Sequence, residues 1–359
     1  MRRLFFVFVT LGMIATALLS GAAVVAGRLL PGADLISYES WQTEGIRRAD
    51  LYLVDVRHGT TVNLTRSPAF QAMTYHATWS PDGARLAYIS LDDGINTIYL
   101  LDFATLHSER LLPPGVLNAS PLYLRWSPDG RWLAACSTGL DASLIVFDMH
   151  AVPITFERYP IAISNQEDFV WSPDSTHLMI SGDFDHRLWL VDYDAVQHML
   201  ETLTVSQSMY TGDQRPSWSP DGSQVAFFRR AYSFEYLFLM NADGTHQYPL
   251  LTGGVQAWTA PVWTPDGRTL LMNGRVEGSS GLIAVDVQTS AVTLLVPQVS
   301  HYSLAFSADG TRLLGNRYSS QSEGTQIVIM EPDGTPSQII PTPGDDIRNP
   351  LWVPRGTFW

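Results

Sequence analysis

Six aspartates, Asp82, Asp129, Asp174, Asp221, Asp266 and Asp309, recur along the chain at intervals of 43 to 47 residues. A carboxylate can serve as general acid, general base, nucleophile or metal ligand, so a repeated one first raises a question of chemistry. All six stand in one five-letter motif, with Trp79, Trp126, Trp171, Trp218, Trp263 and Phe306 at its head. It reads WSPDG three times, then WSPDS, WTPDG and FSADG in variants, and WVPRG from Trp352. A reaction needs a given acid once or twice, not in nearly every unit. Proline presets φ at the second position of a β-turn, aspartate tolerates the third, and glycine takes the left-handed conformation that returns the chain to a strand. The glycines in question are Gly83, Gly130, Gly222, Gly267 and Gly310. The aspartates are therefore turn formers, and the aromatic is a wedge between neighbouring units.

Candidate chemistry lies three positions ahead of each aromatic. There the residues are His76, Tyr123, Asp168, Arg215, Ala260, Ser303 and Asn349. Such a ring would offer donors, acceptors and both charge signs to a polar ligand or peptide. His76, Tyr123, Asp168, Arg215, Ser303 and Asn349 are the expected ligand- and partner-binding residues; a mutual Asp168–Arg215 ion pair is the competing expectation for that pair. No catalytic residue is assigned. The chain has no lysine, which excludes a Walker lysine, a Schiff base and a Ser–Lys nucleophile pair. A G-x-S-x-G elbow is absent, and the nearest string, GSSG at residues 278–281, reads as a loop. Of the nine histidines only His76 and His301 fall near an innermost strand, too few for a histidine-built metal site, so no metal and no cofactor are expected.

The elements that must hold this ring follow from the repeat. A period in the forties without helical patterning marks a propeller blade. After each motif come an apolar run such as ARLAYISL, an alternating run ending in an acid such as TIYLLD, and a closing run such as ERLLP. The segment ahead of the first motif supplies later strands without a motif, whereas the last motif supplies a first strand and little more. Residues 349–353 are therefore expected to pair within residues 35–65. The expected fold is all-β: a seven-bladed propeller of four-stranded antiparallel blades, its last blade closed by N- and C-terminal strands. A six-bladed ring with decorated ends is the alternative.

Residues 1–30 form a separate unit. MRR precedes an uncharged apolar run from Leu4 to Gly27, long enough to span a bilayer as one helix. A retained anchor leaving residues 31–359 outside the cytoplasm is expected, with a cleaved signal peptide as the alternative. The net charge of −13 without a basic cluster excludes nucleic acid as a partner. Cys136, the one cysteine, is expected to be buried. Tyr232 and Phe234, in RRAYSFEYLF, are expected either on a protruding loop as a protein contact or packed on the adjacent strand.

Tandem WSPDG hairpins resemble the TolB-like (PD40, WD40-like) β-propeller repeat. The resemblance covers nearly everything after residue 34 and implies a propeller. Its members include binding proteins, peptidase gates and a few enzymes, among them lyases holding a metal by histidines. The family's namesake differs in carrying an N-terminal α/β domain and six blades. The expected function is a non-catalytic scaffold for a protein or peptide of the cell envelope. The alternative is a channel-site enzyme, of carbohydrate lyase or hydrolase type, acting on carbohydrate or another small polar substrate.

Overall fold

The computed structural model describes residues 34–42, 48–65, 74–92, 95–105, 107–111, 120–138, 143–159, 169–181, 188–192, 200–202, 211–231, 234–251, 253, 255–297, 301–319, 324–340, 342 and 346–354. The expected N-terminal helix lies outside these residues. Among those described there is no helix long and apolar enough to cross a membrane.

The repeated turn is built by its serine as much as by its aspartate. In each of the six motifs that carry an aspartate the Ser or Thr hydroxyl donates to the aspartate Oδ1 two residues on, at 2.5–2.6 Å. The same hydroxyl accepts the backbone N–H five residues on, at 2.8–3.0 Å, where the next strand begins. One side chain thus satisfies donor and acceptor needs on both arms of the hairpin. Where Ser175 replaces the glycine it still takes a positive φ of 65°. Its hydroxyl accepts the Asp129 N–H of the preceding motif at 2.9 Å.

The hairpins extend into antiparallel sheets. Among the described residues six of these have four strands each, and the sheet that carries the Trp263 motif has five. The extra strand arises because the inner strand is broken into Val255–Ala257 and Val262–Trp263, both paired with Thr269–Val276. The C-terminal strand Asp346–Trp352 pairs with Leu35–Gln42, so a single sheet joins the two ends of the described chain. Each seam between successive sheets is filled by its own apolar cluster, including the seam where Leu35, Leu51 and Val353 meet Trp79 and Leu86. The motif aromatics enter these clusters as the sequence requires. Their indole N–H groups add a second tie that periodicity does not show. Trp126, Trp171, Trp263 and Trp352 donate to the carbonyls of Thr78, Arg125, Ser217 and Ala305, each just ahead of the preceding motif aromatic, at 3.0–3.2 Å.

Two local expectations are corrected. GSSG is not a loop: Glu277 and Gly278, with φ of 48° and 83°, form a two-residue hairpin, and Ser279–Asp286 is strand. Two residues with positive φ match the twist of the flanking strands. Nor is RRAYSFEYLF a long interruption. Gln224–Ala231 and Phe234–Asn241 pair to their ends, Ala231 opposite Phe234. Tyr232 lies outside the described residues. Cys136 is fully buried.

Candidate functional site

The level three residues ahead of the motif aromatic is marked by an irregularity in the inner strand. Register slips occur between Tyr75 and Thr78, Pro121 and Tyr123, Gln214 and Ser217, and His301 and Leu304, and opposite the Ser37–Glu39 segment. Two residues there oppose one, which bends the strand and re-aims a side chain. His76, Arg215 and Asn349 take positive φ values of 50°, 53° and 46° at this bulge. Such values are costly for arginine and milder for histidine and asparagine.

The bulges surround an axial cavity of about 510 Å³. His76, Tyr123, Ser303 and Asn349 line it, with Ala260 and the rings of Pro216, Pro261 and Pro350. Four of the six expected site residues therefore share one cavity. Arg215 is not among its lining residues. Its guanidinium is buried, ion-paired with Glu235 at 2.6 Å, hydrogen-bonded to the Ala257 carbonyl at 3.2 Å and set 4.7 Å over the Phe228 ring. A carboxylate on its own blade, and a carbonyl on the next, draw it off the axis. Asp168 lies outside the described residues.

One residue that the motif did not mark organises the best-defined part of the wall. Glu39 is almost completely buried. Its Oε1 accepts the His76 backbone N–H at 2.6 Å and the Asn349 amide at 2.8 Å, and its Oε2 accepts the Trp41 indole at 3.1 Å. A buried carboxylate without such donors would be strongly destabilising. Burial pushes the nearby Tyr75 phenol up to about 12, with the Glu39 charge adding to the rise. Burial also lowers the His76 imidazole below its ordinary value; Glu39 works against this and Arg348 with it. His76 is thus neutral at pH 7. Its ring meets Tyr123 edge-on at 4.6 Å, and its Nδ1 lies 3.4 Å from the Asn349 amide.

The pairing shows what Glu39 is. Trp352 stands opposite Ile36 as Trp79 stands opposite Leu86, so Glu39 occupies the place of Ile89. The same place holds Ser181 and Asn316 in other blades, and both bind the inner strand of the next blade. Ser181 donates to the Asp213 carbonyl at 2.7 Å, and Asn316 to the Ile347 carbonyl at 3.0 Å. Asn316 also accepts the Ser303 N–H at 3.0 Å, fixing that bulge. This position has no fixed letter, and so no repeat search would find it. Among the described residues no group of three or more His, Cys, Asp and Glu side chains is placed to hold a metal.

A family model described as the TolB beta propeller domain (PD40) matches residues 15–258. The chain belongs to this family. An uncharacterised protein of Agrobacterium fabrum, Atu1656, is 27% identical over 51% of this PD40 chain and 62% of its own length. The chain thus spans less than two thirds of that curated relative. Among solved structures, TolB from Acinetobacter baumannii is similar over 90% of this chain and 68% of its own, at 18% identity and a TM-score of 0.55. An oligogalacturonate lyase in complex with manganese is similar over 86% and 85%, at 17% identity and a TM-score of 0.59. Similarity this distant carries the propeller fold alone.

Proposed function

We propose that this PD40 chain is an extracytoplasmic propeller, tethered by its N-terminal apolar segment, that binds a protein or peptide of the cell envelope without transforming it. The observation that carries the reading is the axial cavity, where His76, Tyr123, Ser303 and Asn349 converge from four different blades. A wall that sets neutral donors and acceptors between proline rings, with Arg125 beside them, suits an extended peptide, whose backbone presents both in alternation. The TolB likeness supports an envelope setting. In this reading Asp168 is a further contact for the same ligand, whereas Arg215 does not touch it.

The test places a photoreactive phenylalanine analogue at Tyr123 in the full-length protein in its native membrane. Irradiation is expected to capture a defined envelope protein, and His76→Ala with Asn349→Ala to abolish that capture. An unchanged capture pattern in the double variant, or no captured protein, defeats the reading. The enzymatic alternative has one observation in its favour: His76 is neutral on the cavity wall and can accept a proton. Stoichiometric manganese, calcium or zinc in the purified protein, with carbohydrate turnover lost in His76→Ala, would select it.

A further inference from the structure

A second cavity, of about 930 Å³, lies off the axis between the Trp218 and Trp263 blades. Two of its walls are aromatic side chains left open to solvent, Phe234 at 64% exposure and Trp258 at 48%. Aromatic surface facing water across a cleft marks recognition rather than packing. The charged lining is balanced, with Arg230 and Arg275 against Glu235 and Glu277. Such a lining has little net attraction for an ion. What it does offer is planar guanidinium and carboxylate groups at the right scale to take paired hydroxyls. Flat apolar platforms beside planar hydrogen-bonding groups suit a pyranose ring, which has a C–H face and an equatorial rim of hydroxyls.

The cleft is also built from below. Gln214 and Arg215 each donate to one oxygen of Glu235 at 2.6 Å, which fixes the orientation of the carboxylate. The Arg215 guanidinium simultaneously holds the carbonyl of Ala257, the residue before Trp258. One buried cation on a positive-φ backbone thus positions both the acceptor and the platform. We propose that this cleft binds a neutral oligosaccharide, with Trp258 and Phe234 stacking on sugar faces, Glu235 accepting hydroxyls, and Arg215 as a positioning residue.

The experiment is calorimetric titration of the full-length protein, in a sugar-free detergent, with maltohexaose, cellohexaose and chitohexaose. At least one is expected to bind with a Kd tighter than about 1 mM. Trp258→Ala is expected to weaken that binding about tenfold or more, and Phe234→Ala, at a site too exposed to threaten folding, by several-fold. His76→Ala with Asn349→Ala is expected to leave it unchanged, which separates this site from the axial one. Absence of binding by all three sugars overturns the proposal. So does binding that Trp258→Ala and Phe234→Ala leave intact, or a bound protein that those variants release while sugar affinity stays the same.

Discussion

Ser219 donates to Asp221 and accepts from Gln224, and its removal leaves the Gln224 N–H unmet at the start of a strand and takes one of several donors from Asp221. Ser219→Ala is expected to cost about 1–2 kcal/mol, measured as a shift in the urea midpoint at pH 7. The aspartate gives this an acid signature. The Ser219 hydroxyl first, and then the Ser223 N–H and hydroxyl, hold the Asp221 carboxyl below its usual range. Hydroxyl bonds from Thr264 and Ser307 do the same first for Asp266 and Asp309. Because the folded pKa lies below the unfolded value, this stabilisation is complete above roughly pH 4 and is lost as pH falls through the folded value. Urea midpoints from pH 5 to pH 2 should decline in the wild type and less steeply in Ser219→Ala. His76 titrates in a higher window. Burial lowers its folded pKa, so the unfolded chain binds the proton first, and stability falls as pH drops below roughly 6.5. His76→Asn removes that contribution while suiting the positive φ, and the decline of the midpoint between pH 7 and 5 should become shallower. The proline, aspartate and glycine of the motif announced their turn roles in the sequence. The serine did not, because its role is a bond spanning five residues and not a backbone preference.

The blade is where tertiary contact begins to outrun the motif. Alternating apolar runs placed the strands, since a half-buried strand needs its apolar residues on one face. The bulges were not legible, because a one-residue slip is specified by the pairing and leaves no mark in either strand alone. Glu39 was hidden for a related reason: it belongs to the one blade whose two halves lie at opposite ends of the chain. Its equivalence to Ser181 and Asn316 exists only once Trp352 is set opposite Ile36. The wedge tryptophans were legible as filler but not as donors. Here the blades differ in a way that can be measured. Trp126 and Trp171 donate to preceding carbonyls, whereas the buried Trp218 indole has no acceptor among the described residues. Replacement by phenylalanine removes similar aromatic area in each case and a satisfied donor in only two. Trp126→Phe and Trp171→Phe should each lose about 1 kcal/mol more stability than Trp218→Phe, read from denaturant melts of the three variants.

At the scale of the whole ring, stability rests on a joint with no covalent continuity. Ile347 is fully buried in the strand that closes the sheet, and the Val353 N–H reaches the Leu35 carbonyl at 2.9 Å. A chain ending before residue 346 would leave Leu35–Gln42 as an open apolar edge, with Glu39 deprived of its Asn349 donor. Open edges recruit other chains, so this truncation should elute as concentration-dependent oligomers in size-exclusion chromatography with light scattering. That outcome alone would also follow from nonspecific damage, and a circular permutant separates the two. Trp79 is followed seven residues later by its partner Leu86, and joining residue 357 directly to Leu35 places Ile36 seven residues after Trp352. The permutant, opened between residues 65 and 74, converts the terminal joint into an ordinary motif hairpin. It should elute as the unpermuted propeller does and match it in stability to within about 1–2 kcal/mol, since the loop replaces a closure with a shorter one. A permutant that aggregates like the truncation would mean that the closing strand does more than pair. One that unfolds at the same urea concentration as the natural order would show that the ring reads its repeats without regard to where the chain begins.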